Sequence, residues 1–182
     1  MSQKDYKIKI VELLLKSEKH IRGLAKLLGT NQTTIARKVN ELTKENIVDF
    51  KKEGRNKVIF LKKSLEAIQY CYIVEAQKLN ETLKKYPYLR RVIELIKKNK
   101  KIDLAMLFGS CAKGSAGKES DIDIYLETTK KKVKEEVEII DSKLNIKIGK
   151  YDKDSLLIKE IEKNHVIIKG VEIFYEKNKF FD

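Results

Sequence analysis

The first third of the chain repeats apolar residues with the period of an α-helix. Residues 6–15 and 21–28 each place their apolar side chains along one helical stripe. A third run of the same kind follows, and its core-facing positions are Ile35, Val39 and Leu42. The pattern therefore predicts three short amphipathic helices.

Turn residues and a change of period complete this region. Gly29 can adopt the left-handed conformation that ends a helix, and Thr30 or Asn31 offers a side-chain oxygen to cap the next one. Asn46 stands where the third helix needs a left-handed terminator. The segments IVDFKK and KVIFLKK then alternate with period two around EGRN, which predicts a hairpin. Helix, helix, tight turn, helix and hairpin is the order of a winged helix-turn-helix.

The middle of the chain predicts one long helix between Leu65 and Tyr86, because apolar residues recur there every three or four positions. Pro87 ends this helix, since proline cannot continue its hydrogen-bond ladder, and a second helix over 89–98 follows. The long helix is either a linker packed on its own chain or the dimerisation seam of a homodimer. The dimerisation seam is the favoured interpretation, since winged-helix regulators commonly bind two half-sites as dimers.

An alternating pattern returns between 103 and 126. It predicts a short strand over 103–108, a loop with room for a helical turn over 109–120, and a second strand over 121–126. In the second strand Asp121, Asp123 and Tyr125 share one face, while Ile122, Ile124 and Leu126 point into the core. Two carboxylates about 6–7 Å apart along one face repel each other unless cations lie between them. Hard divalent ions with oxygen ligands meet that need, so the pair predicts a Mg²⁺ site.

The loop before the aspartates has the small residues that a phosphate site needs. Backbone N–H groups near Gly109 and Ser110 can cradle a phosphate, and the Ser110 hydroxyl adds a donor. This is not a Walker loop, because Ser115 stands where that motif requires lysine. The alternative interpretation makes Asp121 a turn residue and Asp123 an exposed strand residue.

Charge distinguishes the two halves of the chain. Of the net charge of +13, residues 1–64 carry +9 and residues 65–182 carry +4. Concentrated positive charge at the N-terminal end predicts a phosphate-rich partner there. The alternative is a lysine-rich solvated surface.

Several classes of protein are disfavoured. The two cysteines, Cys71 and Cys111, form no CxxC motif and have no neighbouring histidine cluster, so neither a disulfide framework nor a zinc site is indicated. The first ten residues lack an apolar signal core, and no apolar run approaches the roughly 20 residues that span a bilayer. We therefore expect a cytoplasmic protein with no membrane partner.

The stretch GSCAKGSAGKESDIDIYLE closely resembles the minimal nucleotidyltransferases of the DNA polymerase beta superfamily. Their signature is an apolar strand, Gly-Ser, a short spacer and Asp-x-Asp, and the resemblance covers residues 88–175. It implies that Gly109 and Ser110 hold the triphosphate of an NTP, and that Asp121 and Asp123 are catalytic residues that hold Mg²⁺. The reaction implied is attack of an acceptor hydroxyl on the α phosphorus, with pyrophosphate leaving.

The stretch LAKLLGTNQTTIARKVNELTKENIVDF resembles MarR- and ArsR-like regulators. In such folds the third helix enters the major groove and the wing reaches the backbone. The resemblance implies contacts with double-stranded DNA at two places. The helix residues are Gln32, Thr33, Arg37 and Lys38, and the residues at the hairpin tip are Arg55, Asn56 and Lys57. The alternative is a winged helix that serves as a protein-contact module with a solvated basic face.

One position departs from the nucleotidyltransferase pattern. The family places a third acidic residue on the next core strand, which we predict over 144–149 after a helix over 129–142. The alternation of that strand assigns the third carboxylate to Gly149, which has no side chain. Loss of this ligand reduces turnover, whereas nucleotide and metal binding can survive. In the tail we predict a strand over 171–175 and interpret His165 as a structural residue.

Together these patterns predict an α+β chain of two domains. Residues 1–64 form a winged helix-turn-helix, 65–87 a linker or dimerisation helix, and 88–182 a polymerase-beta-like nucleotidyltransferase α/β domain with a small mixed sheet. The predicted function is a nucleotidyltransferase that binds Mg-NTP and modifies a hydroxyl acceptor, coupled to sequence-specific DNA binding. The alternative is a DNA-binding transcriptional regulator whose impaired nucleotidyltransferase domain senses nucleotide or acts as an antitoxin. The antitoxin version, which comes from resemblance alone, adds a protein partner such as a toxin.

Overall fold

The computed structural model describes residues 5–54 and 56–181. They form two compact units, the first built mainly from the chain up to Val74 and the second spanning Glu75–Phe180. Each unit has its own sheet. The chain is of the α+β class, as the sequence predicts.

The first unit has the predicted order of elements. Its helices are α1 (Tyr6–Leu14), α2 (Ile21–Leu28) and α3 (Gln32–Lys44), and its strands are β1 (Lys19–His20), β2 (Val48–Glu53) and β3 (Asn56–Leu61). The strands form an antiparallel sheet in the order β1-β3-β2. Strand β1 was not predicted, because two residues are too few to show an alternating pattern.

Local signals set the limits of α3. Gly29 ends α2 with φ of +63°, and the Asn31 side chain accepts a hydrogen bond from the Thr34 N–H at 2.7 Å. Asn46, the predicted terminator, has φ of +61°. The three predicted core positions of α3, Ile35, Val39 and Leu42, are all buried.

The middle helices follow the prediction closely. Helix α4 covers Leu65–Lys85, Pro87 opens a short 3-10 turn, and α5 covers Arg90–Lys98. The predicted apolar stripe of α4 is only partly correct, because its first member, Leu65, is 77% exposed.

The second unit has a four-stranded mixed sheet. Its strands are β4 (Ala105–Leu107), β5 (Ile122–Glu127), β6 (Leu144–Gly149) and β7 (Val166–Lys169), and its further helices are α6 (Gly109–Lys113), α7 (Lys131–Glu138), α8 (Leu156–Lys163) and α9 (Val171–Lys177). The strand order is β6-β5-β4-β7. Strands β5 and β6 run parallel, whereas β4 is antiparallel to both β5 and β7. The predicted small mixed sheet is therefore confirmed.

Both faces of this sheet are covered, at least in part. Ile122, Ile124 and Leu126 join one apolar core with residues of α5 and α7, as predicted. Tyr125 was expected to share the outward face of the aspartates, yet it is only 1% exposed. The ring of Tyr151 covers it, with the two centroids 6.5 Å apart. The outward face is therefore closed by aromatic packing at this point of β5.

The predicted strand over 171–175 is wrong, because these residues open helix α9. The strand of the tail is β7, which pairs with β4. Gly170 separates the two elements with φ of +79°, and a side chain there would overlap the backbone of Asp103 and Leu104. The chain thus turns sharply at a glycine and continues as a helix with Phe174 and Tyr175 buried.

Candidate nucleotide site and DNA-binding surface

Asp123 lies near the start of β5 and is held through both its side chain and its backbone. Oxygen Oδ1 accepts a hydrogen bond from Nδ2 of Asn145 at 2.7 Å. Its backbone carbonyl accepts a hydrogen bond from the N–H of Phe108 at 3.0 Å. Because Phe108 directly precedes Gly109, this bond fixes the start of the small-residue loop next to the aspartate.

Gly109 is required at its position for two reasons. Its φ of +66° lies in the left-handed region, where a side chain is strained. A Cβ atom on Gly109 would also overlap oxygen Oδ2 of Asp123. The carboxylate therefore packs directly on the glycine backbone, and this contact brings Gly109 and Asp123 together. Ser110 follows in the first turn of α6 and is half-buried.

Asp121 occupies a different environment from Asp123. Strand β5 begins at Ile122, one residue later than predicted, so Asp121 precedes the strand and its side chain is exposed. The N–H of Ile122 donates to the carbonyl of Lys143 at 2.8 Å, which anchors the backbone at this point. The two aspartates thus combine a fixed carboxylate with one that is free to meet a ligand from solvent.

The prediction that the third carboxylate position falls on Gly149 is wrong. Strands β5 and β6 are parallel and in register, so Asp123 pairs with Asn145, whereas Gly149 pairs with Glu127. Four residues along a strand correspond to about 13 Å, which places Gly149 far from the aspartate. The residue beside Asp123 is therefore an amide.

Residues 90–179 match the family model described as polymerase beta, nucleotidyltransferase. This segment is a nucleotidyltransferase domain of that family. The match confirms the resemblance of the sequence signature and includes Gly109, Ser110, Asp121 and Asp123.

The loop after Ser110 is attached to the C-terminal end of α4. Lys85 Nζ donates to the carbonyl of Gly114 at 2.5 Å, and the N–H of Ala116 donates to the hydroxyl of Tyr86 at 3.1 Å. Both contacts come from the end of α4 and the residue that follows it. They hold the spacer between the Gly-Ser pair and the aspartates in place.

Asp121 and Asp123 are the two carboxylates of the candidate nucleotide site. Within residues 5–54 and 56–181, no three His, Cys, Asp or Glu side chains cluster closely enough to hold a metal ion. Asp121 and Asp123 have the oxygen ligands that Mg²⁺ prefers, and the Asp123 carboxylate lies directly against the backbone of Gly109. These two residues fit a divalent ion whose remaining oxygen ligands come from a bound anionic molecule.

Cys111 and His165 are two further reactive side chains of this domain, and both pack inside the protein. Burial raises the pKa of the Cys111 thiol, which disfavours the reactive thiolate. Burial lowers the pKa of His165, although the nearby Glu75 acts in the opposite direction. Nδ1 of His165 lies 3.1 Å from the carbonyl of Ile161, and its ring packs on Phe174 with centroids 4.7 Å apart.

The polar residues of α3 differ in how available they are. Gln32, Thr33 and Arg37 are exposed. Lys38 is half-buried, and its ammonium donates to the carboxylate of Glu41 at 2.8 Å. Arg37 and Lys38 were predicted as equivalent contacts, but of the two only Arg37 is exposed.

The tip of the hairpin is described in part. Arg55 lies outside the described residues, so its predicted contact has no structural account. Asn56 and Lys57 are exposed. The ammonium of Lys57 lies 4.0 Å from the centroid of the Phe50 ring, which is an arrangement that favours a cation–π interaction.

Solved structures of winged-helix proteins resemble this chain at low similarity. One is the homodimeric winged helix-turn-helix DNA-binding domain of a possible ArsR-family transcriptional regulator from Mycobacterium bovis, with 20% identity and a TM-score of 0.36 over 38% of this chain and 64% of that one. Another is the adhesin competence repressor from Streptococcus pyogenes, with 20% identity and a TM-score of 0.40 over 50% of this chain and 67% of that one. This chain thus spans less than two thirds of the first structure. No curated protein matches the sequence.

The order of helices and strands in the first unit, rather than this likeness, identifies it as a winged helix-turn-helix. None of the helices formed by the described residues has both the length and the apolar character needed to cross a bilayer.

Proposed function

We propose that this chain binds a magnesium–nucleoside triphosphate in its nucleotidyltransferase domain and transfers the nucleotide to an acceptor hydroxyl. We propose also that its winged helix binds double-stranded DNA sequence-specifically, so that the two activities are coupled in one chain. The observation that supports the nucleotide part is the packing of the Asp123 carboxylate against the backbone of Gly109. This contact joins the proposed triphosphate loop to a proposed metal ligand.

Each site residue has a distinct role in this proposal. The backbone N–H groups of Gly109 and Ser110, with the Ser110 hydroxyl, would bind the triphosphate. Asp121 and Asp123 would hold Mg²⁺, which when bound neutralises charge on the phosphates. In the transfer, a bond forms between the acceptor oxygen and the α phosphorus, the bond to pyrophosphate breaks, and the proton of the acceptor hydroxyl passes to water. By orienting Asp123, Asn145 would keep the carboxylate in place for the ion.

A second function is favoured by Asn145 itself. An amide cannot serve as the base that removes the proton of the acceptor hydroxyl, so turnover would be slow. The chain would then be a transcriptional regulator whose impaired nucleotidyltransferase domain senses nucleotide. In the antitoxin form of this proposal, the acceptor is a protein partner such as a toxin, and the transferred nucleotide would be found on that protein.

A transfer assay with α-labelled NTPs separates these functions. The first function predicts label on an acceptor together with pyrophosphate release, both abolished in the double variant Asp121→Asn, Asp123→Asn. Metal-dependent nucleotide binding without transfer would support the nucleotide-sensing form of the second function, whereas slow labelling of a protein partner would support its antitoxin form. A protein that shows neither binding nor transfer would contradict the nucleotide proposal as a whole.

The DNA proposal is supported by the charge and exposure of the first unit. Residues 1–64 carry a net charge of +9, and Arg37 projects from α3 into solvent. Binding to duplex DNA should therefore weaken steeply as salt increases, and should weaken further when Arg37 and Lys38 are neutralised. Absence of binding to any duplex at low salt would contradict this proposal.

We propose that the DNA-binding form is a homodimer. Leu65 and Ile73 lie eight residues apart on α4, about 80° from each other around the helix axis and so within one apolar stripe, and are 77% and 45% exposed. A second copy of the chain could cover this apolar surface and present two winged helices to paired half-sites. A monomer mass in solution at micromolar concentration would contradict this proposal.

A further inference from the structure

Asn145 occupies the place beside Asp123 in the sheet. The parallel register of β5 and β6 pairs these two residues directly. They are both half-buried, and they share a sheet face because Ile122, Ile124, Leu144 and Ile146 fill the core on the opposite side. A side chain at position 145 is therefore in direct contact with one of the two proposed metal ligands.

The chemistry of the two groups fixes the direction of this hydrogen bond. An ionised carboxylate only accepts hydrogen bonds, so the amide N–H of Asn145 donates to oxygen Oδ1 of Asp123. Oxygen Oδ2 lies against Gly109 on the other side. Asn145 thus fixes the orientation of Asp123 and adds no negative charge to the site.

The charge at the site has a consequence for metal affinity. Affinity for a hard divalent cation depends on the number of charged oxygen ligands. Asp121 and Asp123 supply two, and the part of the chain that the structure describes offers no cluster with a third. A nucleoside triphosphate carries several anionic oxygens and can supply the remainder.

We propose that Asn145 makes ion binding at this site conditional on nucleotide. Asp121 and Asp123 retain a divalent cation only when a triphosphate completes its coordination. Asn145 is a positioning residue, because it orients Asp123 through the hydrogen bond. It also keeps the place beside Asp123, where a third carboxylate would stand, without charge. The inference rests on the proposed function, since it takes this site to be the nucleotide site.

The wild-type protein alone gives the first test. Mn²⁺ is titrated calorimetrically into the full chain, with and without a saturating non-hydrolysable NTP analogue. The heat of Mn²⁺ binding to the analogue in the absence of protein is measured separately and subtracted. We expect Mn²⁺ to bind at least about tenfold more tightly when an analogue is present, as the added phosphate ligands require. Equal Mn²⁺ affinity with and without an analogue that itself binds would overturn the inference.

The variant Asn145→Asp gives the second test. It places a third carboxylate beside Asp123, so Mn²⁺ alone should bind about 10- to 100-fold more tightly than in the wild type. The melting temperature of this variant should also rise more with Mn²⁺, since an ion that binds the folded state stabilises it. Asn80→Asp makes the same chemical change at an exposed position of α4 and should behave as the wild type.

The outcomes separate this inference from the function on which it rests. If no analogue binds with metal in the wild type, the proposed function fails and the inference fails with it. If an analogue binds but Asn145→Asp gains no affinity for Mn²⁺ alone, only the inference is overturned. The wild-type comparison needs no variant, so equal Mn²⁺ affinity with and without a bound analogue would overturn the inference even if Asn145→Asp does not fold.

Discussion

The proposed nucleotide site and the proposed DNA-binding surface use polar side chains in opposite ways. Asp123 is fixed by Asn145 on one side and by the backbone of Gly109 on the other. Gln32 and Arg37 instead extend from α3 into solvent. A site for group transfer needs atoms held in a fixed geometry, whereas binding to a phosphate backbone depends mainly on charge. Substitutions should therefore act sharply at the first region and gradually at the second.

The largest effect is expected for Gly109→Ala. The added methyl group must displace the Asp123 carboxylate, so nucleotide affinity in the presence of Mg²⁺ should fall by about 100-fold, the upper end of the loss expected when a supporting contact of a metal ligand is destroyed. Calorimetric titration of Mg-NTP measures this loss.

A matched control is Gly114→Ala. Gly114 has φ of +73°, close to that of Gly109, but no carboxylate lies at its Cβ position. Both variants should lose about 1–2 kcal/mol of stability from left-handed strain. Only Gly109→Ala should lose nucleotide binding, and an equal loss in Gly114→Ala would show that the contact with Asp123 is unimportant.

A smaller effect is expected for Arg37→Ala on the DNA-binding surface. If Arg37 contacts a base edge, duplex binding should weaken by about 1–3 kcal/mol. If it contacts phosphate, the slope of the logarithm of the binding constant against the logarithm of the salt concentration should decrease in magnitude by about one. Lys38→Ala should cost less, because Lys38 is already paired with Glu41. Fluorescence anisotropy with a labelled duplex over a range of salt concentrations measures the loss of duplex affinity in each variant. A greater loss for Lys38→Ala than for Arg37→Ala would contradict this prediction.

The smallest effect concerns pH and a region outside both surfaces. Burial lowers the pKa of His165 in the folded state, so below its unfolded pKa, near 6.5, the unfolded chain binds more protons than the folded one. Stability should therefore fall as pH decreases from about 6.5 through the lower folded pKa. His165→Gln should flatten this part of the profile of unfolding free energy, measured by urea titration between about pH 5 and 7.5. An unchanged slope would show that His165 does not titrate in this way.

The elements that the sequence predicts well are those set by local signals. The limits of α3 follow from Asn31 and Asn46, and the end of α4 follows from Pro87. The Gly-Ser pair and the aspartates stand out because their spacing is a family signature. In each case a few neighbouring residues contain the whole signal.

The errors involve contacts between distant segments. Gly149 was chosen by counting along β6, whereas the pairing of β5 with β6 selects Asn145. The sequence did contain a signal for this pairing. Strands β5 and β6 both begin with an apolar residue followed by a polar one, Ile122-Asp123 in β5 and Leu144-Asn145 in β6. Tyr125 is buried by Tyr151, which is distant in sequence. The apolar tail fits either a strand or a helix, and Gly170 divides it into one of each.

Titration of Mg-NTP tests the central claim, which is that Gly109, Ser110, Asp121 and Asp123 form one site for nucleotide and metal. Each NTP is titrated calorimetrically, with and without Mg²⁺, into the wild-type chain and into the double variant Asp121→Asn, Asp123→Asn. The claim predicts that at least one NTP binds the wild type in a Mg²⁺-dependent manner and that the double variant loses this dependence. Binding that is equal in the two proteins, or absent from the wild type for every NTP, would contradict it.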